Sequence, residues 1–188
     1  MSSFVLKIIA IITMFIDHIG YIVFGKFSYF NYIGRLAFPI FAFQISEGYT
    51  HTKNLKKYFF RLFLFAIISQ LPFMLFHNLI SSNFSLNIFF TLLLGLASIF
   101  IYDKLKYKSL GIISYIILAT IAEFSHCDYG FYGVSIIFIF YIFKNNFINS
   151  SLFFVFATGI KYLIPYIRYN FYVFYTSFYK SFIHFLSA

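Results

Sequence analysis

Apolar runs of about membrane-spanning length recur along the chain, separated by short polar clusters. The runs cover about 4–24, 29–50, 58–79, 87–102, 109–124, 131–143, 147–164 and 169–186. Most approach the roughly 20 residues that a helix needs to cross the hydrocarbon core. Helices are expected because the sequence has no alternating strand pattern and lipid offers backbone groups no water to bond. The sequence therefore predicts an all-α, polytopic integral membrane bundle of about eight transmembrane helices.

The amino-acid composition supports a membrane protein. Of the 188 residues, 62% are hydrophobic and 10% are charged, whereas a soluble domain carries about 25% charged residues. The net charge of +9 fits basic cytoplasmic loops better than nucleic-acid binding, so no nucleic-acid partner is expected. The single cysteine, Cys127, excludes an internal disulfide and has no zinc-type spacing, so no metal site is expected.

The distribution of basic residues predicts the topology. They cluster after the second, fourth and sixth predicted helices, as Lys53, Lys56, Lys57, Arg61, Lys104, Lys106, Lys108 and Lys144. The connections after the third and fifth helices carry no Lys or Arg, so the positive-inside rule places both termini in the cytoplasm. Lys26, Lys161 and Arg168 lie on the opposite side in this topology. No linker or repeat divides the chain, which predicts a single domain over residues 1–188.

Three of the ionisable residues in the first two apolar runs lie well away from the ends of those runs. Asp17 and His18 are adjacent in "TMFIDHIGYIVF", and Arg35 lies in "NYIGRLAFPIFAFQISEGY". Such a group facing lipid costs about 2.5–3.5 kcal/mol or more, so all three are expected to face the bundle interior. Arg35 stays charged at cellular pH and needs an anion. The two helices are antiparallel in this topology, and at about 1.5 Å per residue Asp17 and Arg35 reach the same depth. The sequence predicts an Asp17–Arg35 pair with His18 nearby.

His18 is the candidate for chemistry in this group. Imidazole titrates near neutral pH, so it can accept and return a proton during acyl transfer. The alternative is a buried histidine that is bonded to a carbonyl. Pro39, also in the second run, is expected to kink that helix because proline lacks a backbone donor. Gly34 and Gly48 are expected to allow close helix approach.

A second polar group lies at or near the cytoplasmic half of the bundle. It consists of Glu47, His51 and Gln70 with the basic residues Lys53, Lys56, Lys57 and Arg61. Together they predict a basic mouth suited to a phosphorylated ligand. A cytoplasmic loop that binds anionic lipid explains these residues equally well.

Several segments resemble one known family. They are "LKIIAIITMFIDHIGYIVF", "YIGRLAFPIFAFQISEGYTHTKNLKKYFFRLFLFAIISQLPF", "NIFFTLLLGLASIFIYD" and "DYGFYGVSIIFIFYIF". They are similar to the TraX family of polytopic bacterial membrane proteins, named for a conjugation protein that acetylates the N-terminus of pilin. The resemblance covers about residues 4 to 144. It implies a multi-pass protein of the bacterial cytoplasmic membrane.

The resemblance also implies an activity and residue roles. Members resemble transmembrane acetyltransferases, which take acetyl-CoA from the cytoplasm and acetylate a peptide N-terminus, glycan or lipid. His18 would be the catalytic base, held by Asp17 and Arg35. The cofactor would meet Arg61, Lys53, Lys56 and Lys57, with His51, Glu47 and Gln70 lining the approach. Asp128 would bind the acceptor.

One segment departs from the family pattern. Members usually carry a motif like "FYP-x-H-L" in the last helix, and here "FYVFYTSFYKSF" has neither its proline nor its histidine. His184 is a displaced substitute, or the site is altered. The alternative function is a non-enzymatic membrane component, either a small channel or an assembly factor for a surface apparatus.

Overall fold

The computed structural model describes residues 3–24, 29–78 and 84–163, and nearly all of them are helical. Its first seven helices are α1 (Ser3–Phe24), α2 (Tyr29–Gly34), α3 (Ala37–His51), α4 (Leu55–Asn78), α5 (Ile88–Lys104), α6 (Lys108–Phe124) and α7 (Gly130–Ile142). The described residues contain no strand beyond one isolated bridge between Leu86 and Cys127. The predicted all-α fold is therefore confirmed, while the predicted helix over 169–186 lies outside the described residues.

The chain forms two compact units, Met1–Phe147 and Ile148–Ala188. The described part of the second unit belongs to one further apolar helix, Phe147–Leu163. A compact unit is not by itself a domain, so the single domain over 1–188 stays a prediction. Every candidate site residue lies in the first unit, apart from His184, which lies outside the described residues.

Two described helices are long and apolar enough to cross a membrane, namely Ser3–Phe24 and Leu55–His77. In each, only 11% of the apolar window is buried, whereas the core helix of a soluble protein would be mostly covered. Their outer faces carry Ile12, Phe15 and Leu71, and each of these side chains is more than half exposed. Exposed apolar faces of this kind suit contact with lipid. The other described helices are shorter, so eight spans are not confirmed.

The packed centre of the first unit lies where α5 and α7 meet α3 and α6. Leu96 and Ile99 of α5 and Ile136 and Ile137 of α7 are fully buried there. α1 joins this centre through α2 and α3, and α4 joins it through α5. The two longest helices therefore lie at the edge of the unit, which explains why so little of their surface is covered.

The second predicted helix is divided in two. α2 ends at Gly34, Arg35 and Leu36 form a turn, and α3 begins at Ala37. The turn is closed by a hydrogen bond from the Leu36 backbone to the Ile33 carbonyl, at 3.1 Å. The interruption that Pro39 predicts in this helix is present as a break at Arg35 and Leu36, four and three residues before it, where a proline ring crowds the preceding turn. Pro39 itself lies in the first turn of α3. A backbone donor there would have no partner within the helix, so proline costs the helix nothing.

Candidate functional site

Asp17 of α1 lies against the break between α2 and α3. Gly34 is buried, and a Cβ placed on it would lie 2.1 Å from the Asp17 Cβ and 2.5 Å from its Oδ1. The two helices can approach this closely only because residue 34 has no side chain. Arg35 is the next residue, so the structure brings Asp17 to the turn that carries Arg35. Arg35 is exposed, whereas Asp17 and His18 are partly buried, so the expectation that all three face the bundle interior was wrong for Arg35. The ion pair between the two stays a prediction.

His18 is partly buried and turns towards α4. Its Nδ1 lies 2.7 Å from the Met14 carbonyl oxygen, which can only accept a hydrogen bond, so Nδ1 carries the hydrogen and Nε2 of the neutral ring is an acceptor. The ring is 4.5 Å from that of Phe76, tilted by 41°. The bond to a carbonyl matches the structural alternative for His18, and it also leaves Nε2 in the form that a general base requires.

Asp17 and His18 therefore contact different helices. Neighbouring residues on a helix point about 100° apart, and here Asp17 packs on α2 while His18 packs on α4. The structure brings Asp17 towards the Arg35 turn, and it places His18 at the same level of α1. The idea that Asp17 holds His18 directly stays a prediction.

The basic mouth, defined here as Lys53, Lys56, Lys57 and Arg61, lies where α3 is followed by α4. Asn54 caps α4, because its Oδ1 accepts a hydrogen bond from the Lys57 backbone at 3.0 Å. All four cations are exposed, and none of them forms an ion pair with a carboxylate within the described part of the chain. Cations in the first turn oppose the helix dipole, so a bound anion would stabilise this end of α4.

Glu47 and His51 border the basic mouth on α3. The His51 Nδ1 lies 3.0 Å from the Glu47 carbonyl oxygen and 3.6 Å from Oε2 of the same residue. Near them α3 and α4 touch, because a Cβ on Gly48 would lie 2.6 Å from the Tyr58 hydroxyl. The structure thus brings Glu47 and His51 to the same end of the bundle as the four cations.

Gln70 is not part of this group. It lies 14 residues beyond Lys56 on α4, a distance of about 21 Å along the helix. Its Nε2 donates to the Ser85 carbonyl at 2.9 Å, and its Oε1 accepts from the Asn87 backbone at 3.0 Å. Both ends of its amide therefore hold α4 to the segment before α5, at the end of the bundle opposite the basic mouth.

The two halves of the predicted site are well separated. Arg35 precedes His51 by 16 residues, which corresponds to about 24 Å along α3 and the turn before it. Phe76, the α4 contact of His18, lies 21 residues after Leu55, or about 31 Å from the start of α4. Asp17, His18 and Arg35 thus lie towards the far end of the bundle, where α4 ends and α5 begins.

One known protein family matches most of the chain. The family model described as "TraX protein" matches residues 2–162. The chain belongs to the TraX family. The family predicted from the sequence is therefore confirmed, and the candidate residues named above, except His184, fall within the matched part of this TraX chain.

A named relative points in the same direction. The TraX chain is 32% identical over 146 residues to "Probable fimbrial assembly protein FimC, serogroup H1" of Dichelobacter nodosus. The match covers 71% of the TraX chain and 59% of that protein, so the chain spans about three fifths of its relative's length. No solved structure matches the TraX chain.

One polar cluster of the TraX chain was missed by sequence reasoning. Asp103 of α5 accepts hydrogen bonds from the hydroxyls of Tyr49 on α3 and Tyr141 on α7, both at 2.8 Å. It ties three helices together at the end of the bundle that carries the basic mouth. The only signal in the sequence was an acid at the end of an apolar run, and nothing there paired it with tyrosines 54 and 38 residues away.

Two of the lysines around this cluster, Lys108 and Lys144, already have partners. Lys108 donates to the carbonyls of Tyr102 and Asp103, at 3.0 and 3.3 Å, where it caps the end of α5. Lys144 lies 4.7 Å from the centre of the Tyr141 ring. The basic mouth between α3 and α4, whose cations lack carboxylate partners among the described residues, is therefore the better anion site of the TraX chain.

Asp128 lies in the connection between α6 and α7, at the far end of the bundle. Its backbone nitrogen donates to the Leu86 carbonyl at 2.8 Å, and its side chain is partly buried. Burial, with Asp128 alongside, raises the pKa of the neighbouring Cys127 thiol to about 11. The thiol stays protonated at neutral pH, so Cys127 is a poor nucleophile for acyl transfer.

Proposed function

We propose that this TraX chain is a multi-pass membrane acetyltransferase that moves an acetyl group from cytoplasmic acetyl-CoA to an acceptor at the membrane. The acceptor is a pilin N-terminus, a surface glycan or a lipid, and the fimbrial assembly relative supports a pilus component. One observation carries the proposal. Asp17 packs against Gly34. The carboxylate of Asp17, the imidazole of the adjacent His18 and the turn that carries Arg35 therefore lie at one level of a TraX bundle.

The residues at this level suit acyl transfer. As the acceptor nitrogen or oxygen attacks the thioester carbonyl, the Nε2 of His18 takes its proton. Arg35 stabilises the negative charge that develops on the carbonyl oxygen. When the carbon–sulfur bond breaks, His18 returns the proton to the departing thiolate. A route through acetyl-histidine differs in its kinetics, because it predicts a ping-pong pattern rather than a ternary complex.

The basic mouth suits the other end of the donor. CoA carries its phosphates and its thioester at opposite ends of an extended molecule, which matches a cationic site far from His18. α4 touches α3 at Tyr58 and α1 at Phe76. These two residues are 18 positions apart, or about five turns, and so lie on one face of α4. We assign that face to the arm that carries the thioester.

The second candidate is a non-enzymatic component of pilus assembly. It is favoured by the name of the relative and by the bond between His18 and the Met14 carbonyl. In that case the exposed cations of the basic mouth would bind anionic lipid headgroups. The two candidates differ in whether acetyl-CoA is recognised.

Membrane vesicles with an exposed cytoplasmic face test the proposal, using acetyl-CoA labelled differently in its acetyl and adenine groups. We expect the acetyl label alone to reach a membrane or surface acceptor. Lys57→Ala combined with Arg61→Ala is expected to raise the KM for acetyl-CoA at least about tenfold with little change in kcat, because it removes charge-assisted contacts that act in binding. Lys104→Ala, which removes another exposed cation, is the control. Wild-type vesicles that transfer no acetyl label would favour the assembly component instead.

A further inference from the structure

The connection between α6 and α7 contains an unusual concentration of left-handed backbone. The φ angles are 51° at His126, 64° at Tyr129 and 42° at Gly130. This region suits glycine and is strained for a bulky residue such as tyrosine. Strain of this kind persists only where surrounding contacts fix the backbone, and it concentrates at functional sites.

Hydrogen bonds from α5 and from Leu86, just before it, hold this connection in place. The Leu86 backbone donates to the His126 carbonyl at 3.0 Å, and the Asp128 backbone donates back to the Leu86 carbonyl at 2.8 Å. The hydroxyl of Thr91, which is fully buried, donates to the Asp128 carbonyl. The residues just before Tyr129 are therefore fixed to α5.

α6 and α7 hold the connection from its other side. Oε2 of Glu123, near the end of α6, accepts a hydrogen bond from the Phe131 backbone at 2.8 Å. The Gly133 backbone donates to the Tyr129 carbonyl, also at 2.8 Å. Tyr129 is thus fixed by both neighbouring helices, which accounts for a tyrosine in the left-handed region.

The outcome of this arrangement is a stacked pair of rings. The Tyr129 ring lies 3.9 Å from that of Phe38 at an angle of 11°, and Phe38 is 1% exposed. Gly133 leaves room for the pair, since a Cβ there would lie 2.9 Å from the Tyr129 Cβ and 3.2 Å from the Phe38 Cζ. Phe38 lies in the first turn of α3, three residues after Arg35.

We propose that Tyr129 is a positioning residue for acetyl transfer, which holds the Arg35 turn in place through Phe38. This inference rests on the proposed function. α3 starts after a break, so its first turn is not held by a preceding helix and depends on packing for its position. Arg35 must meet the developing oxyanion within a narrow geometric range to stabilise it, and a rigid ring stack beside the turn provides that restraint.

A second pair of stacked rings in the same unit forms without any left-handed backbone. Tyr115 of α6 lies on Phe138 of α7, with ring centres 4.3 Å apart and an angle of 3°. Both residues lie inside regular helices, and neither has a positive φ. Stacking alone therefore does not require a strained backbone, and the Tyr115 pair supplies a matched control away from the Arg35 turn.

The test compares Tyr129→Ala with Tyr115→Ala in purified full-length protein. We expect both to lower the melting temperature, but only Tyr129→Ala to lower kcat, by about 10²-fold. The KM for acetyl-CoA should not change, because the basic mouth lies about 24 Å from the Arg35 turn. Tyr129→Phe, which keeps the ring, should stay within about twofold of the wild type. If Tyr129→Ala does not fold, Phe38→Leu removes the same stack and keeps an apolar side chain.

A spin label at Leu36 gives a reading that does not need catalysis. Leu36 is 58% exposed, and it can be labelled as Leu36→Cys after Cys127→Ser removes the natural thiol. We expect the label to become more mobile in Tyr129→Ala and to stay unchanged in Tyr115→Ala. A wild-type protein without acetyl transfer would overturn the proposed function. Wild-type transfer with unaltered kcat and label mobility in Tyr129→Ala would overturn this inference alone.

Discussion

His18→Gln is expected to lower the rate of acetyl transfer by roughly 10²–10⁴-fold, the usual contribution of a general base. Glutamine places an uncharged amide at the position of Nε2 and is similar in length to histidine, so the local packing of α1 should survive. It cannot accept a proton at neutral pH. Single-turnover transfer from labelled acetyl-CoA measures the loss, and the KM for acetyl-CoA should change little because the basic mouth is intact.

The matched control for His18→Gln is His126→Asn. His126 is exposed and has a φ of 51°, a backbone conformation that asparagine adopts readily. We expect this variant to keep wild-type activity, since it removes an imidazole without touching the Asp17–Arg35 level. Activity in His18→Gln within about threefold of that in His126→Asn would rule out His18 as the base, since that loss is far below a general base's contribution.

Gly34→Ala is expected to have a large effect for the addition of a single methyl group. The new Cβ would lie 2.1 Å from the Asp17 Cβ, and neither atom is the free end of a flexible side chain. α1 and α2 must therefore move apart, at a cost of about 1–3 kcal/mol for overpacking. Displacing Asp17 from the Arg35 turn by about 1 Å should lower the transfer rate by about 10²-fold.

Gly159→Ala is the control for this substitution. Gly159 is also in a helix, and a Cβ there meets nothing within 4 Å. Alanine should therefore be neutral or stabilising, by up to about 1 kcal/mol. Thermal unfolding and single-turnover transfer, measured on both variants, separate close helix contact from the general effect of losing a glycine. Equal stability and activity in the two variants would contradict the close contact between Asp17 and Gly34.

The sequence predicted helix ends well wherever polar clusters interrupt apolar runs. α1 was predicted over 4–24 and is found over Ser3–Phe24, and the segment predicted over 131–143 is α7, Gly130–Ile142. Pro39 predicted an interruption of the second helix, but not its form as a full break at Arg35 and Leu36. The contact of Asp17 with Gly34 beside that break could not be predicted, because it exists only after α1 has packed.

The parts of the candidate site that depend only on helix geometry were predictable from the sequence. The equal depth of Asp17 and Arg35 follows from two antiparallel helices and a fixed rise per residue, and Asp17 does lie against Gly34. Gln70 was grouped with the basic mouth, yet its amide bonds Ser85 and Asn87 at the far end. The path of the chain between α4 and α5 set those bonds, and no residue pattern revealed it.

The coupling between Asp17 and Arg35 tests most directly whether these residues form one reaction site. Single-turnover acetyl transfer is measured for Asp17→Asn, Arg35→Gln and the double variant. If Asp17 acts by positioning Arg35, each single change slows transfer by about 10²-fold or more, and the double variant is hardly slower than the slower single variant. Losses that multiply in the double variant, or single variants as fast as the wild type, would contradict a shared site.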